Sequence, residues 1–239
     1  MSRIWILTWF LVRDLFRSPA GIVPLAAALA FGLIAFEYGM DQPQFMSVAG
    51  VGTGGICLLT GLLLAGRANR AWTYPLLARL KRRSELLAAI VLASLVITAV
   101  LSLLIGGGNL ATGRLTLEFP SALWILLTWP AVWLLAAALA LPLSILTSRA
   151  GSYLAGWVLL AALLVGYDQR VRLEQRGLGR VVEVISVLLW PVTTLLSRAS
   201  ANVHDRSYFL ALGLTVTYAA VIFVLAGETF ADKDLLWPE

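Results

Sequence analysis

The sequence contains one cysteine, Cys57, and one histidine, His204, the two residue types that most often carry nucleophilic or metal chemistry. A lone cysteine cannot form an intrachain disulfide, and a lone histidine cannot supply a multi-histidine metal site. Cys57 lies in an apolar run, where it is expected to be a small core residue. Neither residue predicts catalysis.

Motifs of common enzyme and transporter classes are also missing from the sequence. It has no G-x-x-x-x-G-K-[ST] phosphate loop, no H-E-x-x-H pair and no G-x-S-x-G elbow. No cluster of carboxylates suggests a metal-dependent lipid synthase. The apolar segments carry almost no ionisable residues, which ion-coupled carriers usually keep in their spans. We therefore expect no enzyme, no metal site, no cofactor bound by this chain and no ion-coupled carrier.

The composition is that of a membrane protein. Apolar residues make up 60% of the 239 residues, charged residues 13%, and the mean hydropathy is +0.87. Soluble domains are about 45–50% apolar and about 25% charged. Because a core of this size cannot hide such an excess, we expect an all-α polytopic membrane protein with a single transmembrane domain over residues 1–239. The net charge of +5 then reflects cytoplasmic Lys/Arg rather than nucleic-acid binding.

Residues 1–18 predict an amphipathic helix that lies in the membrane interface. At about 100° per residue, the cations and Asp14 share one arc, whereas the aromatic residues share another. Ser18-Pro19 separates this helix from the first span. The residues expected at the interface are Arg3, Trp5, Trp9, Arg13 and Arg17.

The apolar runs predict six spans with both chain ends in the cytoplasm. Gly106-Gly107-Gly108-Asn109 is expected to end the third span, and Trp124 and Trp129 are expected at the interface near the start of the fourth. Glycines in the second span predict close helix packing. The expected spans are residues 20–36, 45–65, 86–105, 123–146, 152–167 and 208–225.

Residues 168–206 predict an extracytoplasmic region that includes a re-entrant or interfacial hairpin. Its apolar piece, residues 181–196, is about 16 residues long, whereas a spanning helix needs about 20. If this piece crosses, the count becomes seven, and the positive-inside rule does not separate the two cases. Glu183, Trp190 and Pro191 lie in this piece.

Residues 67–85 form the most basic stretch of the chain, between the second and third spans. Cations between spans predict the cytoplasmic side. Leucines at i, i+1 and i+4 of a short helix could insert into a groove on a soluble partner. Alternatively, the stretch only fixes topology and contacts anionic headgroups. The residues concerned are Arg70, Trp72, Thr73, Leu76, Leu77, Arg79, Leu80 and Lys81.

Three pieces of the sequence, in this order, resemble ABC-2 type transporter permeases. The first is LVRDLFRSP at residues 11–19, similar to the basic amphipathic helix with which the family often begins. The second is RANRAWTYPLLARLKRRSELL at residues 67–87, where Thr73, Leu76-Leu77 and Arg83-Ser84-Glu85 match the family's coupling loop. The third is FADKDL at residues 230–235, similar to the short charged tail of many members.

The resemblance implies one half of a dimeric permease, with an identical or different second half. It implies that residues 72–80 and the N-terminal helix dock an ATP-binding cassette subunit, which carries ATP and Mg²⁺. It also implies an exporter in the cytoplasmic (inner) membrane, with an outer gate at residues 181–196 that contains Glu183, Trp190 and Pro191.

Two other functions remain open from the sequence. A haem-exporter type permease has similar length and span number, without a specific motif match. A membrane anchor or assembly factor would recruit a soluble protein through the basic loop and would hydrolyse no nucleotide with it.

Overall fold

The chain folds into helices joined by turns in a computed structural model that describes residues 3–38, 41–68, 84–113, 115, 119–144 and 179–231. Seven main helices lie within these residues, and no strand occurs among them. A helical turn, Gln42–Gln44, and a π-helical segment, Phe45–Ala49, lead into the third helix. The main helices are α1 (Arg3–Phe16), α2 (Ile22–Tyr38), α3 (Gly50–Ala68), α4 (Ser84–Ala111), α5 (Phe119–Ala140), α6 (Gly179–Ser200) and α7 (Arg206–Ala231).

Five helical stretches in the described residues are long and apolar enough to cross a membrane. The described part of the chain is thus all-helical and of multi-pass membrane character, as the composition predicts. The predicted span at residues 152–167 lies outside the described residues. The five stretches are Pro19–Glu37, Gln42–Ala68, Ser84–Ala111, Ala122–Ala140 and Arg206–Phe230.

Several predicted span ends differ from the helix ends; α7, for example, continues past the expected residue 225 to Ala231. The helix α4 continues through the glycine triplet to Ala111, because glycine is tolerated inside apolar helices. The helix α5 ends at Ala140, and Pro142 lies in the turn that follows rather than inside the span. A proline ring disfavours helical geometry in the residue before it and offers no N–H for another helical turn.

Contacts between named residues fix the directions of the helices. A Cβ on Gly50 would lie 3.1 Å from the Trp129 indole nitrogen, and one on Gly61 would lie 2.7 Å from the Ala140 Cβ. The later residue of α3 thus contacts the later residue of α5, so α3 and α5 run parallel. Ser94, in the first half of α4, lies beside Gly61, in the second half of α3, so α4 runs the opposite way.

The helices α5 and α7 also run parallel. The ring of His204, just before α7, stacks on Trp124 of α5, and Tyr208 of α7 hydrogen-bonds Thr128 of α5. Both contacts join residues 80 positions apart, so the two helices advance in the same direction. The start of α7 therefore lies at the same end of the bundle as the start of α5.

The bundle has two ends, each with its own set of helix termini. We call the first the α1 end; it holds α1, the end of α3 and the start of α4. We call the second the His204 end; it holds the starts of α5 and α7. The most buried of the five stretches is Gln42–Ala68, and the least buried are Pro19–Glu37 and Arg206–Phe230. The third helix is therefore central, whereas α2 and α7 lie at the periphery.

The helix α6 is continuous from Gly179 to Ser200 and includes Pro191. Its apolar face, with Val192, Leu195 and Ala199, is buried beside α7. Leu196 packs against Gly50 at the start of α3. The expected hairpin therefore has no turn within residues 179–200.

Candidate functional site

The predicted docking helix lies in a stretch that the structure does not describe, but its two flanks are described. The predicted residues Arg70, Trp72, Thr73, Leu76, Leu77, Arg79, Leu80 and Lys81 all fall outside the described residues. The flanking residues, Ala68 and Ser84, end α3 and begin α4. The α1 end is therefore the described part of the candidate site.

An ion pair joins the N-terminal helix to the last turn of α3. The Nε of Arg67 donates a hydrogen bond to Oδ2 of Asp14 over 2.8 Å, and a terminal guanidinium nitrogen lies 2.7 Å from the same oxygen. The pair is largely withdrawn from solvent, since the side chains of Arg67 and Asp14 are 13% and 22% exposed. Charge-assisted bonds in such surroundings are stronger than exposed pairs. The chain therefore leaves α3, toward the basic stretch, from a turn that is tied to α1.

A leucine face attaches the same helix to the bundle. Leu7, Leu11 and Leu15 recur at i, i+4 and i+8, and they are buried in one cluster with residues of α4. Thr8 is buried beside them, and its hydroxyl donates to the Ile4 carbonyl oxygen. This face was not among the predicted functional residues, although its spacing is visible in the sequence.

The opposite face of α1 is exposed in the isolated chain. Trp5 and Trp9 are 45% and 63% exposed, and Arg3, Arg13 and Arg17 are exposed as well. The predicted amphipathic helix is confirmed as a helix over Arg3–Phe16. Besides the basic and aromatic arcs expected from the sequence, α1 has a leucine face that packs on α4.

Two tryptophans of α5 hold α3 in place. The indole of Trp129 donates to the Met46 carbonyl oxygen in the π-helical segment over 3.1 Å, and that of Trp133 donates to the Thr53 hydroxyl over 2.9 Å. Trp129 is 5% exposed, so its ring packs inside the bundle rather than on its outer surface. The Met46 carbonyl oxygen also accepts from the Gly50 amide, so the indole of Trp129 is its second donor.

Cys57 lies in the core, as predicted. It is buried and its thiol contacts the Trp133 carbonyl oxygen at 3.4 Å. The glycines of the second span also pack closely, as predicted, except Gly55, which has open space beside it. A Cβ on Gly52 or Gly54 would meet Phe31 at 2.5 Å or Val132 at 3.1 Å.

An aromatic cluster occupies the His204 end. The imidazole of His204 stacks on the Trp124 indole with centroids 3.5 Å apart, and the Tyr208 ring stands nearly perpendicular to it at 5.1 Å. The Nε2 atom of His204 is buried without a hydrogen-bond partner. Burial lowers the pKa of His204 below its ordinary value of 6.5, so the neutral imidazole is favoured.

Asp205 caps α7 at the same end. Its Oδ1 accepts from the Ser207 hydroxyl over 2.6 Å and from the Tyr208 amide over 3.0 Å, and Arg198 lies 3.3 Å from Oδ2. The hydrogen bond from Ser207, followed by that from the Tyr208 amide, lowers the pKa of Asp205. This capping is typical of an aspartate before a helix.

The residues expected at an outer gate lie on one helix, α6. Trp190 is 43% exposed, whereas its neighbour Pro191 is buried. The side chain of Glu183 lies outside the described residues. The exposed side of α6 beyond Trp190 carries Thr193 and Ser197, whose hydroxyls donate to carbonyl oxygens of their own helix.

In the part of the chain that the structure describes, no group of three or more His, Cys, Asp or Glu residues is placed to hold a metal ion. Comparison of the chain with family models, curated proteins and solved structures finds no match.

Proposed function

We propose that this chain is a permease subunit of an ATP-binding cassette exporter, which forms the membrane pathway and is coupled to a separate ATP-binding subunit. The observation that carries the proposal is the ion pair between Asp14 and Arg67. It ties the amphipathic N-terminal helix to the helix that leads into the basic stretch. The N-terminal helix and the point where the chain enters the basic stretch thus lie together at the α1 end.

The orientation in the membrane is part of this proposal. Of the described residues, the α1 end holds Arg3, Arg13, Arg17 and Arg67, together with Ala68 and Ser84, which flank the basic stretch. An excess of cations favours the cytoplasmic side. We therefore place the N-terminus in the cytoplasm, in a cell membrane, and the His204 end on the other side.

A sixth crossing also belongs to the proposal. Because α5 and α7 run parallel, the chain must return to the His204 end between residues 140 and 206. An odd number of crossings does this, whereas two crossings would make the helices antiparallel. One crossing, at the predicted residues 152–167, gives six spans, with α6 as an element of the outer side.

Docking would use the leucines of the basic stretch. Leu76, Leu77 and Leu80 would enter a groove on the ATP-binding subunit, and the surrounding cations would contact acidic residues on its surface. ATP and Mg²⁺ would be bound by that subunit, and a second permease half would complete the pathway. Trp190 and Pro191 would belong to the outer gate. The export direction follows from the family resemblance.

Affinity purification of the tagged protein from its own membranes, with an ATP hydrolysis assay on the eluate, tests the proposal. We expect a soluble ATPase to co-elute and to be inhibited by vanadate. Leu76→Asp with Leu77→Asp should release it. A matched control, Ala201→Asp with Val203→Asp, places two acids on exposed positions at the opposite end and should keep it bound.

Either of two results would contradict the proposal. A folded preparation that elutes without nucleotide hydrolysis would favour the membrane anchor or assembly factor. An ATPase that stays bound to the Leu76→Asp, Leu77→Asp variant would exclude docking through this helix.

A further inference from the structure

The helix α1 has one face that the other described residues leave uncovered. Its leucine face is buried beside α4, and its carboxylate, Asp14, is held by Arg67. Asp14 is the only acidic residue of the helix, so the exposed charges on it are all positive. The exposed face carries Trp5, Trp9 and Phe16 together with the arginines at positions 3, 13 and 17.

The position of this face is set by a tight turn into the first span. The Ser18 hydroxyl donates to the Leu15 carbonyl oxygen over 2.7 Å, and the Gly21 amide donates to the Ser18 carbonyl oxygen over 3.0 Å. A Cβ on Gly21 would lie 2.7 Å from the Leu15 carbonyl oxygen, so the chain passes very close to the end of α1. The candidate span begins at Pro19, and Arg13 and Arg17 therefore lie within two helical turns of the membrane entry.

The residue types on the exposed face of α1, so close to the start of the first span, favour binding to a lipid surface. Tryptophan rings partition into the boundary between headgroups and acyl chains, and arginine stems extend along that boundary toward phosphates. Each basic residue near an anionic surface strengthens association, and neutral headgroups do not supply that gain. A face with aromatic residues and only cations is complementary to anionic phospholipids.

We propose that the exposed face of α1 binds anionic phospholipid headgroups, with Arg13 and Arg17 on the phosphates and Trp5 and Trp9 at the acyl boundary. The ion pair with Arg67 keeps Asp14 from repelling those headgroups. This binding does not depend on the proposed function, because it needs neither an ATPase nor a second permease half.

Native mass spectrometry of the full chain, with phosphatidylglycerol and phosphatidylcholine added in turn, tests the proposal. We expect the wild type to bind phosphatidylglycerol more tightly than phosphatidylcholine. Arg13→Gln with Arg17→Gln should weaken phosphatidylglycerol binding roughly tenfold and leave phosphatidylcholine binding unchanged. Arg13→Lys with Arg17→Lys should retain most of the preference, because the charge is kept.

The matched control removes the same charge at the opposite end. Arg198 and Arg206 are both exposed there, and Arg198→Gln with Arg206→Gln should leave the phosphatidylglycerol preference intact. If this control loses as much phosphatidylglycerol binding, the preference depends only on the overall charge of the protein, and the proposal is overturned. A wild type that binds both lipids equally would also overturn it, and would leave the face to an acidic soluble partner.

Discussion

Asp14 and Arg67 are separated by 53 residues of sequence and meet in an ion pair, with a hydrogen bond from Nε and a close terminal nitrogen on one carboxylate oxygen. The contact joins a helix that precedes the first span to the last turn of the second. It therefore determines how the N-terminal helix is oriented relative to the bundle. The basic stretch, which begins directly after α3, starts from this fixed point.

A double-mutant cycle should detect this pair. Asp14→Asn and Arg67→Gln each leave a partly buried charge without its partner, so each should be destabilising. We expect a coupling energy of about 1–3 kcal/mol, between that of exposed and fully buried pairs. Thermal unfolding of the purified variants measures it. Asp14→Asn with Arg206→Gln, whose sites lie at opposite ends, should be additive; additivity in the Arg67 cycle would contradict a stabilising pair.

Site-directed labelling should place the α6–α7 connection on the same side as the α4–α5 connection. In a Cys57→Ser background, Thr112→Cys and Val203→Cys should react with an impermeant thiol reagent on one side of the membrane. Ser84→Cys should react on the other side. All three positions are exposed in the structure. If Val203→Cys and Ser84→Cys react on the same side of the membrane, the chain crosses an even number of times between α5 and α7. Seven spans would require this result.

Gly61→Ala should separate α3 from α5. The new Cβ would lie 2.7 Å from the Ala140 Cβ, which cannot move without its helix. We expect a loss of about 1–3 kcal/mol of stability. Gly55→Ala on the same helix meets nothing within 4 Å and should be neutral, or stabilising by up to about 1 kcal/mol. Equal unfolding temperatures for the two variants would contradict the close approach.

Tyr208→Phe should weaken the contact between α5 and α7. Tyr208 and Thr128 are both fully buried and share a hydrogen bond of 2.9 Å. Its loss should cost about 1–3 kcal/mol, because the Thr128 hydroxyl loses its partner. Tyr218→Phe removes an exposed hydroxyl from the same helix and should leave the unfolding temperature unchanged. A double variant with Thr128→Val should lose less than the sum of the single changes.

The stability of the protein should fall as the pH drops below the ordinary histidine pKa. Burial lowers the pKa of His204 below 6.5, so the unfolded chain takes up the proton first. The stabilisation by neutral His204 is thus complete above about pH 6.5 and is lost as the pH falls through the lowered pKa. Unfolding midpoints from about pH 7.5 to about 5.5 should show this slope.

The matched variant for this slope is His204→Phe, which keeps an aromatic ring beside Trp124 and does not titrate. We expect it to unfold at the same temperature across this range. Asp205, whose pKa lies below its ordinary 3.8, does not titrate there. A slope that persists in His204→Phe would assign the effect to another group.

The sequence alone determined the class of the protein and most of its helices. Long apolar runs can satisfy their backbone hydrogen bonds in lipid only as helices, so composition and length suffice to predict them. The amphipathic start of the chain, the buried cysteine and most of the close-packed glycines were predicted for related local reasons. Span ends were not determined by the sequence, because a glycine triplet or a nearby proline can be tolerated or can end a helix according to its surroundings.

Only the tertiary structure decided which distant residues meet. The pairing of Asp14 with Arg67, the parallel course of α5 and α7, and the burial of Trp129 against the π-helical segment each join residues dozens of positions apart. An arginine or a tryptophan has the same sequence signal at a membrane interface and in a packed contact. Which of these two environments the side chain occupies depends on the residues that pack against it. The periodicity of a single helix does not predict those residues.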